Sequence, residues 1–233
     1  MAKEGKPTIE ELKSLCNYEN GIYISKSGDQ YINSLGRVFS LVNRNDKPFT
    51  IEDIKRQPEL KDFLFAGVVD YRFICNLEAT PMTINASNKR KNEKIHPNNF
   101  VGPEEQSIFD SALGVSYLIT CVLEGKEYII KIGSSRKTFK DRLQSYNCGC
   151  VYNWRTASTT NIKILQSMVT TRALFKLYIY DCSDDLYVID WRGVRSVPFA
   201  SPKALAVEDI MVKKFIEQFG IKPLANVQAD AEG

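Results

Sequence analysis

The sequence predicts a mixed α+β fold, and three features carry the prediction. SYLITCVLEGKEYIIKIGSS, residues 116–135, reads as two strands joined by a tight turn at Gly125. The stretch from Ser201 to Gly220 reads as one long helix: serine at the N-cap, proline at the first helical position, glycine just past the end. Between these, TFKDRLQSYN (138–147) and NIKILQSMV (161–169) read as helices, and RALFKLYIYDC (172–182) as a strand.

The remaining elements follow in order. PTIEELKSLC (7–16) reads as a short helix, and residues 20–43 as short strands separated by Gly and Asn. Thr50 opens a second helix, interrupted near Pro58. VVDYRFICNLE (68–78) reads as a buried strand. Residues 83–103 are polar, basic and broken by Pro and Asn, which predicts a linker. Its Lys89, Arg90 and Lys91 read equally well as a solvated run or as phosphate contacts. CGCVYNWRTASTT (148–160) reads as a loop, and DLYVIDWRGVRSVPF (185–199) as a hairpin. The expected division is an N-terminal α+β region, 1–103, ending in the basic linker, and a second unit, 104–233. The first is a candidate for DNA recognition or dimerisation.

Composition narrows the function classes. The 233 residues are 43% hydrophobic and 25% charged, the balance of a chain with a packed core. A net charge of +3 permits a nucleic-acid partner without demanding one. No apolar run approaches a membrane span, and MAKEGKPTIEELK lacks the apolar segment of a signal peptide, so a cytoplasmic protein is expected. The six cysteines are then expected reduced. Cys148 and Cys150 form the one close pair, with no second pair at zinc spacing. His96 is the single histidine, so triads and multi-histidine metal sites would all depend on it. The chemistry is expected to run on carboxylate, tyrosine, lysine and arginine.

Three positions stand out against the apolar patterns, on the final helix, on the helix at 138–147 and on the second strand of the pair. On the final helix, Ala204, Leu205, Met211, Val212, Phe215 and Phe219 form one stripe, and Glu208 falls near its middle. A core-facing carboxylate is costly unless it meets a cation, a metal or hydrogen-bond donors. On TFKDRLQSY, Phe139, Leu143 and Tyr146 make the core face, with Arg142 beside it and four residues from Tyr146. That pair reads either as a snorkelling arginine or as a phosphate clamp. Strand alternation sets Tyr117 and Ile119 on one face, Leu118 and Thr120 on the other. Lys131 interrupts an apolar strand just before Gly133, either guarding an edge or serving a site.

In this order the residues resemble the GIY-YIG nuclease family. Gly114-Val-Ser-Tyr117-Leu-Ile stands for the first half-motif and Lys131-Ile132-Gly133 for the second, with lysine in place of tyrosine as in a type II restriction endonuclease branch. Arg142, Tyr146, Glu208 and Asn226 match the helix arginine, the Tyr/His position, the metal-binding glutamate and the closing asparagine. The resemblance spans 112–228, about half the chain. It implies a three-stranded, mostly antiparallel core flanked by helices, with insertions, and 104–233 as the nuclease domain.

The implied activity is Mg²⁺-dependent, site-specific hydrolysis of double-stranded DNA, with Mn²⁺ as a substitute and no nucleotide cofactor. Tyr117 would be the general base, with Lys131 favouring the phenolate or holding the water. Arg142 and Tyr146 would serve the phosphate, Glu208 the metal. The inserts 152–161 and 187–196 would bring Arg155, Arg192 and Arg195 to the DNA, beside Lys89, Arg90 and Lys91. Cleavage of both strands favours a homodimer. A prokaryotic or phage origin is expected. A homing or phage nuclease, and an inactive DNA-binding protein on the same fold, are the alternatives.

The literal letters Gly21-Ile22-Tyr23 and Tyr31-Ile32 compete for the motif. Seven residues between Tyr23 and Tyr31 read as too few for two paired strands and their turn, and no arginine-bearing helix follows. That segment is expected to be a small β region only.

Overall fold

The computed structural model describes residues 9–19, 22–26, 30–34, 37–42, 48–63, 70–80, 94–147, 159–200 and 203–226. The chain opens with helix α1 (Ile9–Leu15) and a four-stranded antiparallel meander: β1 (Cys16–Glu19), β2 (Ile22–Ser25), β3 (Gln30–Ser34) and β4 (Arg37–Val42). Tyr23 stands directly opposite Tyr31 across β2 and β3. Seven intervening residues therefore do suffice for a hairpin, because antiparallel strands need only a tight turn.

Thr50 caps α2 (Ile51–Lys55) in a capping box with Asp53. The helix ends before Pro58, as the missing N–H dictates. Strands β5 (Arg72–Thr80) and β6 (Lys94–Asn98) and helix α3 (Pro103–Ser111) follow. Next come β7 (Val115–Leu123), β8 (Lys126–Ser135), α4 (Phe139–Asn147), α5 (Thr159–Thr171) and β9 (Leu174–Asp181). Four two-residue strands complete the β elements: β10 (Leu186–Tyr187), β11 (Asp190–Trp191), β12 (Val194–Arg195) and β13 (Phe199–Ala200). The last helix is α6 (Lys203–Phe219), closed by Gly220 at φ 71°. The fold is mixed α+β, as the sequence predicts.

One antiparallel sheet organises the main body, in the order β6-β5-β9-β7-β8. The expected division at 103 cuts through it: β5 and β6 precede that point, and β5 pairs with β9 in the sheet. The predicted linker 83–103 likewise contains β6 and the start of α3. Alternation around Ile95, buried between exposed Lys94 and His96, makes β6 a strand; Pro97 is tolerated because the strand lies at an edge.

The β7–β8 turn puts Glu124 and Gly125 at φ 51° and 77°, the left-handed pair of a two-residue hairpin. Along β7 the faces separate as alternation requires. Tyr117, Ile119 and Cys121 join the core with Phe109, Phe139, Leu143 and Met168 from α3, α4 and α5. Leu118 joins Ile129, Ile132 and the α6 residues Val207, Met211 and Phe215 on the other face. Truncating Phe215 to alanine is expected to cost about 3–5 kcal/mol. Leu205, expected in the stripe, is 48% exposed, and Val207 holds the buried position instead. The stripe runs Ala204, Val207, Met211, Phe215, with Leu205 a full step off it.

The outer edge of β8 is covered. Ile129 N–H donates to the Pro58 carbonyl (3.1 Å), and Ala225 N–H to the Ile130 carbonyl (2.9 Å). The Gln57 side chain accepts from Leu224 N–H at 2.8 Å, locking the two covering segments together.

Candidate active site

Tyr117 projects from β7 and lies opposite Gly133 on β8. A Cβ at position 133 would stand 2.4 Å from the Tyr117 ring and hydroxyl, so only glycine lets the ring lie flat across the strand. Phe139 packs edge-on against the ring, centroids 4.9 Å apart. The hydroxyl is thereby aimed at α4.

Arg142 meets it there, its Nε donating to the Tyr117 hydroxyl at 3.0 Å. The Tyr146 hydroxyl is also 3.0 Å from that of Tyr117. Arg142 Nη1 donates to Ser145 Oγ at 3.0 Å, and the guanidinium lies 5.0 Å from the Tyr146 ring centroid. Both tyrosines are fully buried. Burial pushes the Tyr117 phenol above its ordinary value, while Arg142 and the bond from Tyr146 pull it back. Burial raises Tyr146 well above its ordinary value as well, with Tyr117 adding to it. Burial opposes the charge on Arg142, but the two phenols hold its pKa above the usual range. The cation hydrogen-bonded to the phenol is thus Arg142.

Lys131 reaches the same region through an irregularity in β8. Ile119 pairs with Lys131, and Thr120 with Ile129, so Ile130 is an extra residue, a β-bulge. The bulge sends Ile129 to the α6 side and leaves Lys131 on the face shared by Ile119, Tyr117 and Gly133. Burial pushes the Lys131 amine down to about 8; Glu208 opposes that and Arg142 adds to it.

Glu208 enters from α6, on the opposite side of the sheet. Its Oε2 accepts a hydrogen bond from Ser134 Oγ. No lysine or arginine nitrogen among the described residues lies within 4.0 Å of the carboxylate. A half-buried carboxylate with one oxygen held by a hydroxyl and no ion pair among the described residues suits a hard cation at its other oxygen. Among the described residues no group of three or more acidic, histidine or cysteine side chains could hold a metal. An ion at Glu208 would therefore keep most of its water, as Mg²⁺ prefers.

Asn226 closes the arrangement. Its side chain accepts from Ile132 N–H (3.1 Å) and donates to Ile132 C=O (2.9 Å), pinning the residue between Lys131 and Gly133. Ser116 Oγ donates to the Gly133 carbonyl (3.3 Å) and sits 2.7 Å from the Tyr71 hydroxyl.

The structure thus gathers Tyr117, Lys131, Gly133, Arg142, Tyr146, Glu208 and Asn226 around the β8 end. Lys89, Arg90, Lys91, Arg155 and the Cys148–Cys150 pair lie outside the described residues. Arg192 and Arg195 are exposed on the β11–β12 ribbon. Sequence reasoning missed Ser134 and Ser145. Alternation alone places Ser134 opposite to Gly133, on the α6 side, and Ser145 follows Arg142 at the i+3 spacing of a helix face.

Chemically, the cluster offers a cationic fork, a buried phenol, a lysine that loses its proton readily, and one carboxylate suited to a cation. Such a set handles an anionic oxygen and an attacking water.

No protein-family model matches the chain, and comparison with curated proteins finds no match. Among solved structures, the chain is similar to restriction endonuclease HPY188I in complex with product DNA, at 24% identity and a TM-score of 0.46. The similarity covers 80% of this chain and 96% of that one. No helix among the described residues is long and apolar enough to cross a membrane.

Proposed function

We propose that this protein is a Mg²⁺-dependent, site-specific endonuclease of double-stranded DNA, of the GIY-YIG restriction type. One observation carries the reading: the Arg142 guanidinium, hydrogen-bonded to the Tyr117 hydroxyl, shares its neighbourhood with Lys131 and with Glu208. Phosphodiester hydrolysis needs these groups together: a cation for the phosphate, a base for water, and a ligand for a metal.

Glu208 would hold the Mg²⁺, with Mn²⁺ as a substitute. The bound ion supplies charge neutralisation at the phosphate and support for the leaving oxygen. Arg142 binds the non-bridging oxygens through its fork of donors. Tyr117 takes the proton of the attacking water, and Lys131 orients that water. Arg142 now covers the Tyr117 hydroxyl, so an arriving phosphate that draws the guanidinium toward itself uncovers the phenol. A phenol held high by burial makes such a reaction faster as pH rises through neutrality. Lys89, Arg90, Lys91, Arg155, Arg192 and Arg195 are the proposed DNA contacts. Two copies, paired in solution or on the duplex, deliver the two cuts.

Incubation with mixed-sequence duplex DNA and Mg²⁺ tests the proposal. Discrete fragments sharing one end sequence are expected. Absence of cleavage across salt, pH and divalent metals overturns it. Glu208→Ala should keep duplex binding and lose cutting.

A further inference from the structure

The segment between β9 and α6 is a built ribbon whose apolar side chains face solvent. β10 pairs with β13 at its base, and β11 with β12 toward its tip. Ile189 N–H donates to Ser196 Oγ at 2.9 Å, and Ser196 N–H to the Ile189 carbonyl at 2.8 Å, continuing the ladder between them. The tip turn holds Arg192 at φ 52° and Gly193 at φ 81°, the left-handed pair that matches strand twist.

Trp191 stands opposite Val194, and the two are 69% and 73% exposed. Ile189 precedes Trp191 by two residues and is exposed as well. The Arg192 guanidinium lies 5.7 Å from the Trp191 ring centroid. Across the other face, Asp190 pairs with Arg195. The ribbon therefore presents one aromatic-apolar edge crowned by an arginine that forms no ion pair among the described residues. A hydrogen-bonded two-stranded element that holds Trp191, Val194 and Ile189 together in water calls for a partner.

Its location selects the partner. The ribbon leaves β9 just after Asp181, which is level with Val115 on β7 and hence with Ser135 on β8. Cys182 N–H donates to the Gly114 carbonyl at 2.9 Å, fixing that exit. It returns to α6, whose first residue, Lys203, pairs with Asp184 at 2.8 Å. Both ends are thus tied at the sheet end that carries Tyr117, Gly133 and Ser134, and the helix it enters carries Glu208. The ribbon is therefore anchored at the same sheet end as the cluster. A second copy of the chain is a poorer fit, because a stable protein interface needs about 800 Å² from each partner, more than a few side chains at a ribbon tip supply. In a nucleic-acid complex one apolar wedge and one cation can act at a groove while the rest of the interface lies elsewhere on the protein.

Resting on the nuclease reading above, we propose that this ribbon grips the DNA duplex beside the scissile phosphate. Trp191 stacks on or wedges between bases, and Arg192 meets the adjacent backbone or base edge.

Duplex affinity, measured with a labelled mixed-sequence DNA and Ca²⁺ in place of Mg²⁺, tests it. Trp191→Ala is expected to weaken binding by about tenfold or more, and Trp191→Phe to restore most of it. The circular dichroism spectrum should be unchanged in both, since the side chain is exposed. In a Trp154→Phe background Trp191 is the sole tryptophan, and its emission should change on DNA addition and become shielded from acrylamide. Wild-type protein that binds no duplex overturns this assignment together with the nuclease reading. Wild-type binding with Trp191→Ala equally tight, or with Trp191 left as open to acrylamide as before, overturns the ribbon assignment alone. Emission that shifts with protein concentration in the absence of DNA assigns the edge to a second copy and also overturns it.

Discussion

Gly133 lies so close under the ring of Tyr117 that a methyl group there would stand 2.4 Å from the phenol oxygen. That contact ties the backbone of one strand to the orientation of a side chain on the next. Gly133→Ala must displace a fully buried ring or bend β8, and overpacking of this kind typically costs about 1–3 kcal/mol. The urea midpoint should fall accordingly. In a Tyr117→Ala background the same substitution should cost much less, since the clashing atoms are gone. Equal costs in the two backgrounds would mean that the contact does not constrain the strand.

Ser134 and Glu208 form a second pair that spans two elements, β8 and α6. The hydroxyl fixes one carboxylate oxygen, and on the proposed reading the other would hold the cation. Ser134→Ala frees the carboxylate to rotate without removing it. On the proposed reading, Mg²⁺ needed for half-maximal cutting should rise roughly tenfold, the usual scale for a group that orients a metal ligand. Mn²⁺ binding followed by electron paramagnetic resonance should weaken in parallel. Ser134→Thr should retain wild-type values, whereas an unchanged metal requirement in Ser134→Ala would show that the hydroxyl is incidental.

Most of the cluster was legible because its members interrupt apolar patterns. Glu208 stands in a hydrophobic stripe, Lys131 in a run of isoleucines, and Arg142 beside a three-residue core face. What stayed hidden depends on pairing between distant segments. The bulge at Ile130 cannot be seen in Ile129-Ile130, since either residue is apolar and the extra one shows only in register with β7. β6 hid behind Pro97 and its polar neighbours, and the pairing of β5 with β9 joined segments expected to be separate. Tyr23 pairs with Tyr31 across fewer residues than the sequence reading allows for two strands and their turn.

Lys131 should leave a mark on stability against pH. Burial holds its amine at about 8 in the folded protein, against 10.5 ordinarily. Between those values the unfolded chain carries a proton that the folded chain has lost. Stability from this residue therefore rises as pH climbs from about 8 to about 10.5, and the burial penalty on the charged amine is fully present below that window. Comparing wild type with Lys131→Met isolates the effect from cysteines and tyrosines that titrate nearby. The advantage of the methionine variant should shrink by up to about 3 kcal/mol across the window. A difference independent of pH would place the lysine in water.

Arg142→Lys should be far from conservative. Lysine keeps the charge but cannot donate to Tyr117 and Ser145 from one planar group. On the proposed reading, cleavage should slow by about 10²–10³, the scale for losing one aimed donor to a transition-state oxygen. Duplex affinity should change much less. Comparable losses in affinity and in single-turnover rate would instead assign Arg142 to ground-state binding of DNA.

Each outer strand of the main sheet has one residue clasped by an asparagine. Asn226 bonds both backbone groups of Ile132 on β8, and Asn147 does the same for Ile95 on β6, accepting from its N–H at 2.7 Å and donating to its C=O at 3.0 Å. A primary amide presents a donor and an acceptor at the spacing of a peptide group, so each side chain acts as a one-residue strand. Asn147 is also the last residue of α4, the helix that carries Arg142 and Tyr146, so its clasp anchors that helix to the far edge of the sheet. Asn147→Ala leaves two backbone groups without protein partners at a partly buried edge. The expected cost is about 1–3 kcal/mol. Hydrogen exchange at the Ile95 amide should quicken well beyond what that loss predicts for the whole domain, because the edge opens locally. Asn226→Ala should do the same at Ile132 and, lying between Lys131 and Gly133, should also lower activity on the proposed reading. Exchange that quickens uniformly over the sheet in both variants would deny the asparagines any local hold on the edges.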